Sequence, residues 1–285
     1  MHGFAFVAPT AQAEVTGLLE EHGSEARLLA GGTDLVVGLR TGAIRPRVVV
    51  DLKRVAELRP GLSDAGGRLA ISATTPLSRV VRDGRVRQWF PALAEAAATV
   101  GSIQIRNRAT LAGNICNASP AADTVPALLV YGAEVVIAGR AGGRRLPLDR
   151  FLLGPRRTAL SRDELVTSIE LARPGAGTFA AFGRLTRRRG VDLATISVCC
   201  SVDAAGVTRF AFGAVAPTPF LVADESGVLA DPDADPETKD RVLAELTGLA
   251  RPISDVRGSR EYRQAMLMVV SRRLLRSVVD GRGKG

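Results

Sequence analysis

Cysteine and histidine are nearly absent from this 285-residue sequence. The three cysteines, Cys116, Cys199 and Cys200, are odd in number and two are adjacent, which argues against a disulfide framework. Three thiols also fall short of the four ligands that an iron–sulfur cluster takes. With only His2 and His22, a histidine metal site or a Ser-His-Asp triad is poorly supplied. Redox chemistry therefore has to come mainly from a bound organic cofactor, and we expect neither a catalytic side chain nor a metal ligand.

Long hydrophobic runs are missing as well. No stretch reaches the roughly 18 uninterrupted apolar residues that a membrane-spanning helix needs. The N-terminal segment has neither the cationic start nor the apolar length of a signal peptide; it reads MHGFAFVAPTAQAE. The expectation is a soluble protein with no membrane span and with the cytoplasm as its default location.

Aromatic residues make up only 4% of the chain, while its net charge is +9 and its pI about 10.5. This balance raises the question of nucleic-acid binding, because arginines release counterions from a phosphate backbone. The few aromatic residues do not alternate with the basic ones, and no helix-turn-helix, zinc-finger or ribonucleoprotein motif is visible. We therefore expect no nucleic-acid partner, and the basic surface favours docking of an acidic protein.

Apolar residues are 46% of the chain, enough to bury a full core, and the length indicates about two domains. Pro174 and Gly177 punctuate the sequence and mark the candidate boundary. The expected division is a first domain of residues 1–175, with subdomains of about 1–55 and 56–175, and a second domain of residues 176–285.

Hydrophobic periodicity predicts the elements of the first domain. Val15, Leu18 and Leu19 share one face of a surface helix over 11–22. A strand, a helix and a second strand at 47–51 follow with the spacing of a βαβ-like unit. Further predictions are a hairpin arm at 62–73, helices within 76–99 broken at Gly84 and Pro91, and a short helix capped by Asp123 that leads into a strand.

The second domain reads as an α+β unit. Three strand runs between 178 and 215, joined in part by a DAAG turn, predict an antiparallel sheet. Helices are predicted at 236–249 and 259–277. We expect the last helix to bury an apolar face and to carry its arginines outside that face. That face comprises Tyr262, Met266, Val269 and Val270, and the arginines are Arg263, Arg272, Arg273 and Arg276.

The most informative stretch is residues 27–40, RLLAGGTDLVVGLR. It reads as a short strand, two glycines, a hydroxyl, a carboxylate and then an apolar segment with helical spacing. Adjacent glycines leave peptide N–H groups bare, so Gly31, Gly32 and Thr33 can cradle a pyrophosphate beside a helix N-terminus. Asp34 would compete for these donors unless it caps the helix or accepts from a ligand hydroxyl. A tight strand-to-helix turn without a ligand explains the same residues equally well.

A second stretch lies at residues 100–123, VGSIQIRNRATLAGNICNASPAAD, and lacks helix-length periodicity. It is dense in small and amide residues, among them Thr110, Gly113 and Asn114. Their N–H groups, hydroxyls and carboxamides suit phosphate and ribityl hydroxyls rather than a hydrophobic core. We expect a functional loop here, because few loops of this length in compact domains lack a function.

These two stretches, their separation and the C-terminal part together resemble a known family. The resemblance is carried, in chain order, by AGGTDL, TLAGNICNASPAADTVPALL, FGRLTRRRGVDLA, FGAVAPTP and DVRGSREYR. They look like the flavin-binding medium subunit of the molybdenum hydroxylases, which include xanthine dehydrogenase and aerobic carbon monoxide dehydrogenase. The resemblance implies an α+β protein with an FAD-binding fold of the vanillyl alcohol oxidase (PCMH) type, followed by a C-terminal α+β domain with an antiparallel sheet. No GxGxxG fingerprint of a dinucleotide-binding fold occurs in the required context.

The resemblance also implies which residues bind FAD. One side of the pyrophosphate would be lined by Ala30, Gly31, Gly32, Thr33, Asp34 and Leu35. The other side would be lined by Thr110, Leu111, Ala112, Gly113 and Asn114. The ribityl and adenosine portion would lie along Ser119 and Asp123. The isoalloxazine would be approached by Val100, Gln104, Val166 and Phe182.

Three positions depart from the family pattern. Ala112 stands where a glycine is common, and if that position needs positive φ or no side-chain bulk, the methyl costs about 1 kcal/mol or more and weakens FAD retention. Gly183 and Arg184 stand where relatives frequently carry a cationic or polar side chain near the flavin. The resemblance therefore does not predict how residues at these two positions set the reduction potential of the flavin.

The leading hypothesis is an electron-transfer subunit of a molybdenum hydroxylase-type oxidoreductase. The resemblance implies a molybdopterin-binding large subunit that oxidises substrate and a small subunit whose 2Fe-2S clusters carry electrons to FAD, from which NAD, oxygen or another acceptor takes them. A stand-alone FAD-dependent oxidoreductase acting directly on a small molecule is the alternative, and it needs a base such as Tyr262 or Tyr131 near the ring. A flavin-free binding or assembly module is a third hypothesis.

Overall fold

The computed structural model describes residues 2–282. Its first layer is a parallel sheet in the order β1-β3-β2, formed by β1 (Ala5–Val7), β2 (Ala26–Leu29) and β3 (Val48–Asp51). Helix α1 (Gln12–His22) connects β1 to β2, and helix α2 (Leu35–Thr41) connects β2 to β3. The parallel pairing of β2 with β3 confirms the βαβ-like unit that the sequence predicts.

Burial explains why this unit forms. Every residue of β3 is buried, and Val48 and Val50 lie in one core with Val15 and Leu19 of α1. A β-branched run of this kind suits a strand that is covered on both faces. The sheet places the turn between β2 and α2 at the carboxyl end of its strands, the edge at which parallel sheets commonly bind ligands.

The second layer is an antiparallel sheet in the order β4-β5-β10-β6-β7, accompanied by a small β8-β9 hairpin. Its β4-β5 hairpin confirms the hairpin arm predicted at 62–73. The strands are β4 (Leu62–Asp64), β5 (Arg68–Ser72), β6 (Glu134–Gly139), β7 (Gly142–Pro147), β8 (Leu152–Gly154), β9 (Arg157–Thr158) and β10 (Leu165–Ala172).

Short helices pack against this sheet. They are α3 (Leu77–Arg82), α4 (Gly84–Trp89), α5 (Pro91–Thr99), α6 (Ile103–Arg106), α7 (Leu111–Cys116), α8 (Thr124–Val130) and α9 (Leu148–Phe151). The predicted breaks at Gly84 and Pro91 are confirmed, since α4 and α5 begin at these residues.

The expectation of a loop over 100–123 is wrong, because α6 and α7 lie within it. The Ser102 hydroxyl accepts from the N–H of Ile105 at 3.3 Å, and the Thr110 hydroxyl accepts from the N–H of Gly113 at 3.0 Å. These N-caps stabilise helices that are too short to show hydrophobic periodicity. The residues expected near phosphate therefore lie at the start of a helix.

The C-terminal part is an antiparallel sheet with two helices on one face, and the sheet order β11-β12-β13-β14 follows the chain. Its elements are β11 (Phe179–Leu185), β12 (Ile196–Val202), β13 (Thr208–Gly213), β14 (Phe220–Asp224), α10 (Pro236–Thr247) and α11 (Arg260–Arg282). The sequence predicts the first three strands but not β14, because β14 is a short edge strand that directly follows Pro219. Although α11 has 23 residues, no helix within residues 2–282 is both long enough and apolar enough to cross a membrane.

Both faces of the C-terminal sheet are covered. Cys200 and Phe210 share a core with Leu267 of α11. Cys199 and Ala211 belong instead to the large core of the N-terminal part, against which α5 and α8 pack the sheet. Cys199 and Cys200 thus point to opposite sides of β12, as successive residues of a strand do.

Helix α11 buries an arginine that the sequence pattern places outside. Arg263 is 1% exposed, and its guanidinium donates to the main-chain oxygens of Thr195 and Ala214 at 2.6 and 2.9 Å. It also donates to Asp255 Oδ1 at 2.7 Å. Tyr262, expected on the apolar face, is 47% exposed, so both assignments are corrected. Three protein acceptors compensate the burial of this guanidinium through its Nη atoms, whereas its Nε meets no acceptor within the described residues.

Candidate functional site

The first turn, between β2 and α2, presents unpaired main-chain donors. Gly32 has a φ of 78°, and its carbonyl accepts from the N–H of Val36 at 2.9 Å to start the helix. Within residues 2–282 the N–H groups of Gly31, Gly32, Thr33 and Asp34 meet no hydrogen-bond acceptor. Such a run of free N–H groups at a helix start binds anions.

The second turn leads into α7 and offers the same kind of donor. Thr110 uses its hydroxyl to accept from Gly113, so the N–H groups of Leu111 and Ala112 are left without acceptors in the described chain. The side chains of Leu111 and Ala112 are 0% and 4% exposed and lie in the core. Both residues can therefore reach a ligand only through their main chain.

The two turns are in direct contact. A Cβ on Gly31 would lie 2.2 Å from the main-chain oxygen of Arg108 and 2.8 Å from the Cα of Ala109, so only glycine fits here. The Asn117 side-chain amide donates to Asp34 Oδ1 at 3.4 Å. Asp34 therefore connects the first turn to the C-terminal end of α7 instead of capping α2, for which its side chain makes no hydrogen bond. Two sets of free N–H groups thus lie side by side.

Ala112 does not carry the strain that its departure from a glycine pattern suggests. It lies in the first turn of α7 and is not among the described residues with positive φ. Its methyl is buried in the core and so does not project among the free N–H groups. The loss of FAD retention considered for this position therefore has no structural cause.

A third group of residues continues from the second turn towards the C-terminal sheet. The Thr124 hydroxyl donates to the side-chain oxygen of Asn114 at 2.7 Å, which leaves the Asn114 amide group free to donate to a ligand. Ser119 Oγ accepts from the N–H of Ala121 at 3.3 Å. Asp123 stands at the N-cap position of α8 but makes no capping bond, so the predicted cap is wrong.

The Asp123 carboxylate is paired across the molecule with Arg184 of β11. Its Oδ2 accepts from Arg184 Nη1 at 2.9 Å, and the two side chains are only 10% and 14% exposed. Oδ1 is buried and has no hydrogen-bond partner within the described chain. Burial raises the pKa of Asp123 to about 6, against the opposing pull of the Arg184 charge. A ligand hydroxyl would satisfy the orphaned oxygen.

This pKa predicts a distinct pH dependence of stability. The folded, flavin-free protein holds the Asp123 proton more tightly than the unfolded chain, whose pKa is about 3.9. The contribution of Asp123 to the free energy of unfolding therefore falls by about 3 kcal/mol as the pH rises from about 4 to about 6, and stays constant above that. Urea unfolding of wild type and Asp123→Asn at about pH 5 and about pH 7.5 measures this change in the free energy of unfolding. The variant should gain stability relative to wild type at the higher pH, and an equal difference at both values contradicts the assignment.

The four residues expected near the isoalloxazine lie on different elements and differ in their burial. Phe182 lies on the face of β11 that packs on the N-terminal core, and its N–H donates to Glu95 Oε2 at 3.3 Å. Val166 is 4% exposed in the same core, at the point where the register of β10 and β6 shifts. Val100 is half-buried after α5, and Gln104 is exposed on α6. Phe182 thus shares a sheet face with Arg184, two residues along β11.

Sequence reasoning missed two residues that connect the site. Asn117 was seen only as part of an amide-rich stretch, and nothing in its spacing pointed to Asp34. Arg184 was noted only as a departure from a family pattern, because its partner Asp123 is distant in sequence. Both contacts depend on how separate elements pack, which periodicity does not report.

The residues present fit FAD. Peptide donors from two touching turns suit its diphosphate, and the unpartnered Asp123 oxygen suits one of its hydroxyl groups. In the part of the chain that the structure describes, no group of three or more His, Cys, Asp or Glu residues is placed to hold a metal ion.

Comparison with known proteins finds matches along nearly the whole chain. A family model described as "FAD binding domain in molybdopterin dehydrogenase" matches residues 2–174, and one described as "CO dehydrogenase flavoprotein C-terminal domain" matches residues 181–278. The xanthine dehydrogenase FAD-binding subunit of Escherichia coli O157:H7 is 29% identical over 95% of this chain and 94% of its own length. The carbon monoxide dehydrogenase medium chain of Hydrogenophaga pseudoflava is 30% identical over 95% and 96%.

The overall fold also matches a solved structure. Reconstituted CO dehydrogenase from Oligotropha carboxidovorans contains a chain that superimposes with a TM-score of 0.90 at 28% identity, covering 98% of each chain. The sequence resemblance and the fold class expected from it are thereby confirmed.

Proposed function

The chain belongs to the family of FAD-binding medium subunits of the molybdenum hydroxylases, and from this membership we propose that it holds FAD across its two turns and relays electrons to a diffusible acceptor. It is an FAD-binding subunit of a multi-subunit oxidoreductase. The observation that supports the proposed site most directly is the contact between the two turns, each with unpaired peptide N–H groups. Bound FAD supplies storage of an electron pair and its transfer at flavin N5.

The residues of this chain bind and orient the cofactor. The N–H groups of Gly32, Thr33, Leu111 and Ala112 donate to the diphosphate, and helix starts add a favourable dipole. The free amide group of Asn114 and the other predicted contacts complete the site. No side chain of this chain acts as an acid or base in this function, which agrees with its shortage of histidine.

The proposed domain division is 1–175, with subdomains of about 1–55 and 56–175, and 176–285. It is supported by the ends of the two family matches, at 174 and 181. The FAD site lies mainly in the first domain, and the second domain contributes β11 with Phe182 and Arg184.

The proposed partners are a molybdopterin-binding large subunit and a small subunit with 2Fe-2S clusters, and the proposed acceptors are NAD, oxygen or another oxidant. Relatives described as a "medium chain" or "FAD-binding subunit" support an assembly of several subunits. Three cysteines are too few for a cluster in this chain, so the iron–sulfur centres belong to another one. Cytoplasmic location remains part of the proposal.

The segment 249–262 exposes apolar side chains close in sequence to arginines, which supports the docking of such a partner. We define this docking surface by Leu249, Ile253, Val256 and Tyr262, which are 54%, 63%, 85% and 47% exposed. Beside it lies a hollow of about 400 Å³ lined in part by Pro252, Ile253 and Arg260. Within residues 2–282, Arg251 and Arg260 form no salt bridge, while Asp255 is paired with Arg257 and Arg263. The surface therefore suits a partner subunit with an apolar patch surrounded by carboxylates.

Val256→Asp is expected to weaken assembly at least tenfold, because it buries a charge at an apolar contact and repels acidic groups of the partner. Leu153→Asp is the matched control, since Leu153 is 55% exposed in β8, outside the docking surface. Co-expression with the proposed large and small subunits, followed by size-exclusion chromatography, measures assembly. Equal assembly of both variants at unchanged FAD content places the partner on another surface.

The function itself is tested with the purified chain. We expect a flavin absorption band near 450 nm that is removed on extraction and restored by added FAD. In the absence of oxygen, candidate substrates should reduce this flavin only when the large and small subunits are present. Reduction by the chain alone favours the stand-alone enzyme, for which Tyr131 is a poor base, because burial beside Phe90 raises the pKa of its hydroxyl. A chain that stays colourless with added FAD contradicts both hypotheses.

A further inference from the structure

Arg184 reaches from the C-terminal sheet into the flavin site. Residues alternate along β11: a Cβ on Gly183 would lie 3.3 Å from Leu274 of α11, whereas Phe182 packs on the N-terminal core. Arg184 therefore faces the same side as Phe182. Its Nη1 lies 2.9 Å from Asp123 Oδ2, at the start of α8.

The ion pair between Arg184 and Asp123 connects the N-terminal part of the chain to the C-terminal part. Among the salt bridges of residues 2–282, it is the one that joins a residue before Pro174 to a residue after it. It is also shielded from water, since the two side chains are 14% and 10% exposed. A charge-assisted bond in such surroundings is stronger than an exposed one and is little screened by salt.

The pair leaves one carboxylate oxygen unused. Oδ1 of Asp123 is buried without a hydrogen-bond partner in the described chain, which is costly for a carboxylate. Arg184 occupies Oδ2 and thereby fixes the rotation of the carboxylate. The neighbouring side chains of Asn114 and Thr124 bond to each other at 2.7 Å and do not compete for Oδ1.

Arg184 also connects to the segment that follows β11. Its Nη1 lies 3.4 Å from the main-chain oxygen of Asp192, whose carboxylate is paired with Arg187 at 2.9 Å. One guanidinium thus contacts the start of α8 in the first domain and the 186–194 segment in the second. Movement of β11 away from α8 would break both the ion pair and the orientation of Asp123.

We propose that Arg184 is a positioning residue for FAD: it holds the Asp123 carboxylate so that Oδ1 accepts from a cofactor hydroxyl, and it makes FAD retention depend on closure of the C-terminal sheet onto the first domain. This inference rests on the proposed function. It assigns the role to a residue of the second domain that lies outside the set of FAD contacts expected from the sequence.

Measurement of FAD affinity in the flavin-free, full-length chain tests the proposal. Arg184→Met should raise the Kd for FAD, followed by quenching of flavin fluorescence, by about 10- to 100-fold, the range for losing a charge-assisted bond in a buried site. Arg184→Lys should recover most of the affinity, because it keeps a cation although it lacks the planar fork of arginine. Arg209→Met is the matched control: Arg209 forms a 2.7 Å ion pair with Asp203 within the second domain and should leave the Kd unchanged.

A double-variant cycle shows whether Arg184 acts through Asp123. If it does, Arg184→Met adds less than about twofold to the Kd of Asp123→Asn, since the group that it positions is already changed. Hydrogen exchange adds a second readout: FAD should slow amide exchange across β11 in wild type but not in Arg184→Met. A wild-type Kd in Arg184→Met, or losses that multiply in the double variant, overturns the proposal. Failure of wild type to bind FAD overturns the proposed function instead, so the two outcomes are distinguishable.

Discussion

Gly31→Ala is expected to produce a chain that no longer retains FAD, with the Kd raised more than about 100-fold. The new Cβ would lie 2.2 Å from the main-chain oxygen of Arg108 and 2.8 Å from the Cα of Ala109. Neither backbone atom can rotate away as a side chain does, so the two turns must move apart. Their N–H groups then no longer meet on one diphosphate, and each lost bond to a charged group is worth about 1.5–3 kcal/mol. Overpacking should also lower the free energy of unfolding by about 1–3 kcal/mol.

Gly17→Ala is the control for this experiment. Gly17 lies inside α1, and a Cβ there meets no atom within 4 Å. Alanine should therefore leave FAD binding unchanged and raise stability by up to about 1 kcal/mol, the helix propensity difference. Fluorescence titration with FAD and urea unfolding of both variants give the comparison. FAD binding by Gly31→Ala at the wild-type Kd would show that the contact between the turns does not build the site.

Arg263→Met should destabilise the C-terminal sheet and its helices by about 3–5 kcal/mol, the usual cost of breaking a buried ion pair by removing one partner. The substitution leaves the carbonyls of Thr195 and Ala214 without this donor and leaves Asp255 with Arg257 alone. Ala214 also donates its N–H to the carbonyl of Pro120 at 2.7 Å, close to the flavin site. Loss of FAD should therefore accompany unfolding of the C-terminal sheet.

Arg276→Met provides the matched comparison within the same helix. Arg276 is exposed and forms no salt bridge within the described residues, so its replacement should change the free energy of unfolding by less than about 0.5 kcal/mol. Urea denaturation followed by circular dichroism measures both variants. If Arg263→Met unfolds at the same urea concentration as Arg276→Met, the guanidinium is not the support of this part of the fold.

Much of the fold follows from local sequence. The β-branched run at Val48–Asp51, the helix breaks at Gly84 and Pro91 and the first three strands of the C-terminal sheet are all present. These features depend on periodicity and on backbone rules for glycine and proline, which act within a few residues. Helices α6 and α7 escape such rules, because each is a single short turn or two started by one N-cap hydrogen bond.

The site is less predictable because its contacts cross the chain. The resemblance directs attention to Gly31 and Asp123, but the reasons these residues matter are an approach to the backbone of Arg108 and a pairing with Arg184. Arg263 shows the same limit. An arginine in a helical pattern reads as a surface residue, and only the position of distant carbonyls reveals that it is buried.

The opposite orientation of Cys199 and Cys200 has a chemical consequence for a protein that works with flavin. Burial raises the pKa of both thiols, so both stay protonated and neither forms the thiolate that attacks peroxide. Each sulfur also faces a different core, which keeps the pair from closing into a vicinal disulfide. Reduced flavin that meets oxygen generates peroxide, and both sulfur atoms of β12 are fully buried away from the solvent that carries this oxidant.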